Sequence, residues 1–208
     1  MNRSTGNSLE DKYLVGRVLN GDTRAFTLII RNTERLVAQI VFRLIPVAED
    51  RKDLAQDIFL KAFHKLPAFR FQSKLSTWIA QIAYNTCISW LEKKRPLLFS
   101  GLEESPVVEE VLDPAYPEKD LKEPGFPDTG WPAEQLIRKE RALILQKEIN
   151  GLPPVYQTLI TLFHQESMNY EELARVTGLP DGTVKSYLFR ARRMLKENLL
   201  LKYKKEAL

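Results

Sequence analysis

Residues 169–195 constrain the fold more than any other stretch, because they have the pattern of two helices joined by a sharp turn. Asn169 is a candidate N-cap of the first helix. Gly178 and Pro180 mark its end, since glycine tolerates the left-handed cap conformation and proline cannot continue a helix. In the second helix apolar residues recur at helical spacing, namely Val184, Leu188, Ala191 and Leu195, and cations occupy the other faces. This pattern predicts a helix-turn-helix with a cationic second helix.

Local details of this motif support that prediction. Asp181 or Thr183 can cap the second helix, and Glu171 and Glu172 fall in the first turn of the first helix, where the helix dipole favours negative charge. The alternative is an ordinary helical hairpin with a solvated basic face. Turn chemistry, helix lengths and charge placement agree with each other, which favours the helix-turn-helix.

Charge is distributed unevenly along the chain. The formal net charge of +4 conceals an acidic stretch, residues 97–132, with nine acidic and two basic residues. The remaining residues therefore carry +11, which favours binding to a polyanion. Six of the twelve prolines also lie in this stretch, and it has no helical period. It is predicted to be a flexible acidic linker between two small helical domains, in an all-α fold.

The segment before the linker contains four helical patterns. Ser8 with Asp11 is a candidate capping pair for a short first helix, and Asp22 is the candidate cap of the second. The second pattern, residues 25–45, keeps its apolar residues at i+3 and i+4 steps until Pro46 stops it. The third has an apolar stripe and a mostly acidic face, and most such faces are merely solvated.

A loop with two aromatic and two cationic residues precedes the fourth helical pattern, which Ser73 or Ser76 can cap. Aromatic rings beside cations suit unstacked bases, because a base can lie on a ring while the backbone contacts the cations. The alternative is that Phe69, Phe71 and Trp78 are core residues, and the position of Trp78 on the helix favours this for Trp78.

Residues 133–150 and 152–163 resume helical patterns, so residues 133–202 are predicted to form a four-helix domain, with residues 203–208 as a frayed tail. In the first of these helices the predicted core residues are Leu136, Ile137, Leu143, Ile144 and Ile149.

Several functional classes are disfavoured. Cys87 is the only cysteine, so an internal disulfide is impossible and a buried thiol is expected. His64 and His164 lack metal-ligand spacing, and no glycine-rich phosphate turn is present. We therefore predict no catalytic residue, metal, cofactor or small-molecule substrate. The start, residues 1–8, is predicted to be disordered, and it lacks the apolar core of a signal peptide. No run reaches the roughly 20 apolar residues that span a bilayer, which favours a cytoplasmic protein.

Three stretches resemble bacterial RNA polymerase sigma factors of the extracytoplasmic-function group within the sigma-70 family. Residues 179–195 are similar to the promoter-binding module of that group, with Tyr187 where the family often carries a basic residue. Residues 53–63 resemble the helix that docks on the clamp of core RNA polymerase. Residues 66–85 resemble the promoter-melting element, in which a loop captures a flipped base of the −10 sequence. The resemblance implies sigma region 2 in residues 9–96 and sigma region 4 in residues 133–202.

The resemblance also implies roles for individual residues. Duplex −35 DNA would be bound by Thr183, Lys185, Ser186, Tyr187, Phe189, Arg190, Arg192 and Arg193. The −10 element would be bound by Arg70, Phe71, Ser73, Lys74, Ser76, Thr77, Gln81, Tyr84 and Asn85. Core polymerase would be contacted by Asp53, Gln56, Asp57, Phe59 and Lys61.

The implied partners are core RNA polymerase through its clamp and flap, promoter DNA, and an anti-sigma factor that is membrane-associated by family habit. The family's linker also occupies a nucleic-acid channel of the polymerase. Two other readings stay open from the sequence. One is a self-sufficient helix-turn-helix regulator that binds duplex operators, and the other is a structural adaptor that binds acidic proteins. The acidic helix and the aromatic loop favour the sigma factor, because a plain regulator needs neither.

Overall fold

The computed structural model describes residues 4–94 and 132–203, and all regular elements in these ranges are helical, which confirms the predicted all-α fold. The predicted linker lies outside the described residues except for Pro132, the first residue of α5. The elements are α1 (Ser4–Leu19), α2 (Thr23–Leu44), α3 (Ala48–Lys65), a 3-10 turn (Leu66–Ala68), α4 (Leu75–Lys94), α5 (Pro132–Asn150), α6 (Pro154–His164), α7 (Tyr170–Thr177) and α8 (Asp181–Tyr203).

The first bundle, α1–α4, is organised around α2. Asp22 caps α2 as predicted, because its carboxylate accepts hydrogen bonds from the Arg24 and Ala25 N–H groups at 3.0 and 3.3 Å. The apolar stripe of α2 is buried against α1, α3 and α4. Its members include Phe26, Ile29, Leu36, Val37, Ile40 and Leu44. Ile45, the residue before Pro46, has an extended backbone conformation. The helix therefore ends directly before this proline, as predicted.

The start of α1 differs from the prediction. The helix begins at Ser4 and therefore includes Ser8 and part of the segment predicted to be disordered, residues 1–8. The predicted capping pair of Ser8 and Asp11 is wrong, because Asp11 lies within the helix and its carboxylate binds another element. The end of α1 near Asn20 and Gly21 agrees with the prediction.

The second bundle consists of α5–α8, and its centre is formed by α6, α7 and α8. The predicted core stripe of α5 is wrong for Ile137 and Leu143, which are 46% and 70% exposed. Among the α5 side chains that the structure describes, the buried ones are Glu148 and Ile149 at the carboxyl end, because α8 is the main neighbour of α5 and contacts that end. The side chain of Leu136, also predicted to be in the core, lies outside the described residues. The stripe has the right helical period, but within the described residues little covers it.

The last turn of α8 is paired with α5. The ammonium of Lys202, the last residue of the predicted four-helix domain, donates to both carboxylate oxygens of Glu148, at 2.7 and 3.0 Å. Glu148 is 1% exposed, so Lys202 neutralises a buried carboxylate and attaches the last turn of α8 to α5.

The two bundles pack against each other along two helix pairs. α2 lies against α6, and α4 lies against α7. As a result α4 is covered on most sides and has many buried positions, among them Thr77, Ala80, Ala83 and Tyr84. Across residues 4–94 and 132–203, none of the helices combines the length and apolar character needed to cross a bilayer.

Candidate nucleic-acid interface

The helix α7 is held between two caps that the sequence encodes. The Asn169 side chain accepts a hydrogen bond from the Glu172 N–H at 2.9 Å, and the Glu172 carboxylate accepts one from the Asn169 N–H at 3.0 Å. This reciprocal capping box confirms the predicted start of α7. At the other end Gly178 has φ +72°, a left-handed conformation that glycine adopts without steric cost. The predicted turn of the helix-turn-helix is therefore confirmed.

The start of α8 differs in detail from the prediction. The Val184 N–H donates to the Pro180 carbonyl at 3.0 Å, so the helix already begins at Asp181. Asp181 and Thr183 therefore lie within its first turn, and neither is the residue that precedes the helix. The predicted inward face is confirmed, since Val184, Leu188, Ala191 and Leu195 are all buried.

The outward face of α8 presents cations beside an aromatic ring. Lys185, Phe189 and Arg193 are exposed, while Thr183, Ser186 and Arg190 are half-buried. The Ser186 hydroxyl donates to the Gly182 carbonyl at 2.9 Å, and the Arg193 guanidinium pairs with Glu197 at 2.9 Å. This face offers long donors and one exposed ring to a ligand outside the bundle.

Tyr187 and Arg192, which the sequence also assigned to DNA, lie against aromatic rings of α6. The Tyr187 ring packs edge-on against Tyr156 at 5.3 Å between centroids. The Arg192 guanidinium lies 5.0 Å from the centre of the Phe163 ring. Its Nε and Nη2 atoms are buried without a hydrogen-bond partner among the described residues. Helical spacing alone could not detect these contacts, because they depend on the position of α6.

The loop between the 3-10 turn and α4 contains a cluster of three aromatic rings. The Phe69 ring is 6% exposed and lies 4.7 Å from the Phe71 ring and 5.0 Å from the Trp78 ring. Phe69 and Trp78 thus pack with the core, as the alternative interpretation predicts for these two residues. Phe71 is 40% exposed and has φ +55°, and Arg70 beside it is exposed. The loop therefore projects one aromatic side chain toward solvent from a packed aromatic base.

The start of α4 is capped by a residue that the sequence analysis missed. The Asp11 carboxylate of α1 accepts a hydrogen bond from the Leu75 N–H at 3.0 Å, so the predicted caps Ser73 and Ser76 are wrong. The Ser73 hydroxyl instead donates to the Lys74 carbonyl at 3.3 Å. Burial raises the pKa of Asp11, and the Leu75 hydrogen bond acts in the opposite direction. No sequence signal could identify this cap, because it lies in another helix.

The remaining predicted −10 residues lie on α4 or directly before it, and α7 packs against this helix. The Lys74 ammonium pairs with the Glu172 carboxylate at 3.0 Å, and the Thr77 hydroxyl donates to the same carboxylate at 3.3 Å. Burial raises the pKa of Tyr84 to about 12, and the charge of nearby Tyr187 adds to the rise. Ser76 and Gln81 are half-buried and Asn85 is exposed. The structure therefore brings the predicted −10 face and the helix-turn-helix into contact.

The predicted acidic face of α3 is mostly exposed. Asp53, Gln56 and Asp57 are exposed, whereas Phe59 is partly buried against the core. Lys61 is exposed, and its ammonium lies 3.4 Å from the Thr86 hydroxyl of α4. Leu60, which the sequence analysis did not select, is 57% exposed beside this acidic group.

Within the described ranges, no group of three or more His, Cys, Asp or Glu side chains could hold a metal ion. Cys87 is fully buried, and its pKa is raised to about 12 by that burial, so it is an inert core thiol as predicted. The interface thus offers cations, hydroxyls and aromatic rings to a ligand.

Comparisons with known proteins agree with this geometry. The family model for sigma-70 region 2 matches residues 29–96, and the model for sigma-70 region 4 matches residues 142–195. The chain is 31% identical over 191 residues to the ECF RNA polymerase sigma-E factor of Haemophilus influenzae, which covers 92% of this chain and 96% of that protein. The chain belongs to the extracytoplasmic-function sigma factors. This sigma factor is also 33% identical to the RNA polymerase sigma-H factor of Pseudomonas aeruginosa, over 91% of this chain and 94% of the relative.

Two solved structures share the fold of this sigma factor. The chain of CnrH, solved in complex with the cytosolic domain of CnrY, matches with a TM-score of 0.58 and 22% identity, over 93% of this chain and 99% of that chain. The sigma factor RpoE of Bartonella quintana, solved with the anti-sigma factor NepR, matches with a TM-score of 0.56 and 23% identity, over 86% of this chain and 99% of that chain.

The family membership decides between the readings that the sequence left open. The match to region 2 covers α3, the aromatic loop and α4, which a self-sufficient regulator or a structural adaptor does not require. The sigma factor therefore directs core RNA polymerase to promoters, and the reading as a regulator acting alone is wrong.

Proposed function

We propose that this sigma factor divides promoter recognition between its two bundles. Region 4, residues 133–202, reads the duplex −35 element through α8. Region 2, residues 9–96, binds core polymerase and the single-stranded −10 element. The observation that carries this proposal is the pair of caps around α7, Asn169 with Glu172 and Gly178, since they orient α8 with its cationic face away from the bundle.

In region 4 we assign base and phosphate contacts to the outward residues of α8. Lys185, Ser186, Phe189 and Arg190 meet base edges from the amino-terminal half of the helix, with Thr183 at its start, and Arg193 meets phosphates. The side chains of Tyr187 and Arg192 pack on aromatic rings of α6, so we assign them to positioning α8. The exposed Phe189 ring suits an apolar contact such as a thymine methyl group.

In region 2 we assign base capture to the loop that carries Phe71. Its exposed ring offers a stacking surface, and Arg70 and Lys74 lie beside it for the phosphate backbone. The hydroxyl and amide groups along the loop and α4 are suited to read the edges of a displaced base. These are Ser73, Ser76, Thr77, Gln81, Tyr84 and Asn85.

We assign core polymerase binding to α3, through Asp53, Gln56, Asp57, Phe59 and Lys61. The exposed carboxylates of Asp53 and Asp57, with exposed Leu60 one helical turn beyond Asp57, support this assignment, because a protein partner can cover both kinds of surface. The acidic linker, residues 97–132, then connects the two DNA-binding regions on the polymerase surface, where region 4 reaches the flap.

We further propose that the sigma factor acts in the cytoplasm without enzymatic activity, cofactor or small-molecule substrate. CnrH was solved with the cytosolic domain of CnrY and Bartonella RpoE with an anti-sigma factor. By analogy we propose that an anti-sigma factor, membrane-associated in the cell, binds this chain. A pull-down from the native cell should then recover a membrane protein besides the polymerase subunits, and recovery of polymerase alone would contradict this part.

Run-off transcription with purified core polymerase tests the main proposal. The chain added to core should start transcription at discrete sites on genomic fragments, whereas core alone should not. A variant with Asp57→Lys should lose this activity at limiting concentration while its free form retains duplex DNA binding. Discrete operator binding without any promoter-specific transcription would refute the proposal.

A further inference from the structure

The amino-terminal end of α4 receives its cap from α1. The Asp11 carboxylate accepts a hydrogen bond from the Leu75 N–H at 3.0 Å, and Leu75 is the first residue of α4. The first N–H groups of a helix have no partner within the helix, and Leu75 is 3% exposed. Without the Asp11 carboxylate, a buried donor would therefore be left unpaired at the start of α4.

The residue in the ordinary cap position cannot cap this helix with its own side chain. Lys74 directly precedes α4, and its carbonyl accepts from the Trp78 N–H at 3.1 Å, as the carbonyl of an N-cap residue does. A lysine side chain has no acceptor atom, and the Lys74 ammonium pairs with Glu172. The cap from Asp11 thus allows a cation in the N-cap position, and this cation is one of the proposed contacts to the −10 strand.

Asp11 lies on a part of α1 that is held in place on both sides of the turn to α2. Leu14, one turn further along α1, is 5% exposed in the core. The Arg17 guanidinium pairs with the Asp22 carboxylate, which caps α2. The Asp11 carboxylate is therefore presented to α4 from a fixed position.

The loop before α4 is also held at its other end and near its middle. The Phe69 ring is 6% exposed in the core, and the Phe69 N–H closes the 3-10 turn. The Gln72 carbonyl accepts from the Arg175 guanidinium at 2.5 Å. Phe71, with φ +55°, lies four residues before the start of α4. Four residues span at most about 14 Å, so a shift at the start of α4 displaces the exposed ring.

We propose that Asp11 is a positioning residue for base capture, because it fixes the start of α4 and with it the Phe71 ring and the Lys74 ammonium. This inference rests on the proposed function of the loop. Asp11 acts through the Leu75 amide and does not itself contact DNA. Loss of this cap should increase the number of loop conformations, and so the entropy that is lost when a base binds.

Binding of the holoenzyme to two labelled DNAs tests this role. Both carry the same duplex −35 element, from a promoter that the parent holoenzyme transcribes. One DNA ends before the −10 element, and the other continues as the single non-template strand of that element. The ratio of the two affinities measures capture of the single strand alone. Asp11→Ala should lower this ratio about three- to tenfold, because loss of a helix cap changes an equilibrium constant by about this factor.

Asp11→Asn and Asp22→Ala are the matched controls. Asn retains an acceptor oxygen at the same position, so the ratio should stay within about twofold of the parent value. Asp22→Ala removes another cap in the same bundle, together with the pair to Arg17. It should lower the thermal midpoint of the protein but leave the ratio unchanged. If Asp11→Ala does not fold, Asp11→Ser takes its place, since its hydroxyl is one bond shorter than the carboxylate and ends short of the Leu75 N–H.

A double variant shows whether Asp11 acts through the loop. In a Phe71→Ala background the ring that the cap positions is absent. Asp11→Ala should then lower the ratio by a smaller factor than in the parent, because only the Lys74 ammonium remains to be positioned. Equal factors in the two backgrounds would show that Asp11 acts independently of Phe71, and would overturn the inference.

Amide hydrogen exchange in the free chain measures the order of the loop. Residues 70–77 should exchange faster in Asp11→Ala than in the parent and in Asp11→Asn. In Asp22→Ala the faster exchange should instead lie at the start of α2. Unchanged exchange of residues 70–77 in Asp11→Ala would contradict the positioning role.

The DNA-binding ratios also separate this inference from the proposed function. An unchanged ratio in Asp11→Ala, or an equal loss in Asp22→Ala or Asp11→Asn, would overturn the inference. A higher ratio in both Asp11→Ala and Asp11→Asn would overturn it too, since the carboxylate would then act by repelling phosphates. The function assigned to the loop stands in each of these cases, provided that the parent holoenzyme prefers the DNA with the single strand. If the parent binds both DNAs equally, that function is itself wrong.

Discussion

Phe71 combines a strained backbone conformation with a proposed role in base capture. Its φ of +55° is uncommon for a bulky side chain, and such conformations cluster at ligand-binding sites where the surrounding structure enforces them. Here the enforcing contacts are the Phe69 ring at 4.7 Å and the bond from Arg175 to Gln72. The exposed ring is thereby held in place before a base arrives, which reduces the entropy lost on binding.

Gly178 and Gly182 give opposite predictions for the same substitution. Both have open space where a Cβ would lie, but only Gly178 has a left-handed φ, of +72°. Gly178→Ala should therefore cost about 1–2 kcal/mol of unfolding free energy. Gly182→Ala, within α8, should stabilise the protein by up to about 1 kcal/mol. Denaturant unfolding followed by circular dichroism measures both, and equal effects would contradict the assigned backbone roles.

Arg190 and Arg193 should affect DNA binding in different ways. Arg190→Ala should cost about 1–3 kcal/mol on the preferred −35 sequence and change the base preference, if its guanidinium contacts a guanine edge. Arg193→Ala should weaken all sequences alike and reduce the salt dependence, as expected for a phosphate contact. Competition binding on specific and random duplexes measures this. Equal losses on both duplexes for Arg190→Ala would remove it from base readout.

At the scale of whole elements, α5 is attached to the bundle at its carboxyl end by the buried pair of Glu148 and Lys202. Lys202→Met should lower the thermal midpoint of region 4 by several degrees, because it leaves a buried carboxylate without its cation. The double variant Glu148→Gln, Lys202→Met should regain most of that loss. Thermal unfolding of the parent, of Lys202→Met, of Glu148→Gln and of the double variant tests this, and an additive double variant would show that the two residues do not interact.

The same pair should make region 4 sensitive to acid. The hydrogen bond from Lys202 outweighs burial and holds the pKa of Glu148 below its ordinary value of 4.5. Its contribution to stability is therefore complete above about pH 4.5 and is lost as the pH falls through the lowered pKa of the folded state. In the Glu148→Gln variant this part of the acid sensitivity should be absent.

For the whole molecule, the energetics of melting require a partner. Opening roughly a dozen base pairs costs about 17 kcal/mol at a mean stacking energy near 1.4 kcal/mol per step. Capture of one or two bases on an aromatic loop returns only about 1–3 kcal/mol each. The free sigma factor therefore cannot hold a bubble open, and we expect melting only on core polymerase.

The double variant Phe71→Ala, Lys74→Ala should test the loop as the place where melting begins. It should bind core polymerase normally and −35 duplex nearly so, while permanganate-reactive thymines near the start site disappear. A template already mismatched across the −10 region should restore much of the transcription, because the step that the loop assists has been completed. Normal opening of linear promoter DNA by this variant, or melting by the free chain, would contradict the mechanism.

Short-range rules made several features of this protein predictable from its sequence. The cap at Asp22, the stop at Pro46, the capping box of Asn169 with Glu172 and the left-handed Gly178 each involve residues within a few positions of one another. The inward face of α8 follows from a repeat along a single helix. The partners in such interactions are close to each other in the sequence, so a sequence pattern can identify them.

Only the tertiary structure decided which elements complete and cover these features. Asp11 caps the Leu75 N–H of α4, 64 residues away in the sequence. The Glu172 carboxylate accepts a hydrogen bond from the Thr77 hydroxyl, 95 residues away in the sequence. The inward position of Arg192 and the exposure of Leu143 likewise depend on where α6 and α8 lie. The helical period of the sequence predicts which side chains share one face of a helix. It does not predict which other helix covers that face, because this depends on how whole helices pack in the tertiary structure.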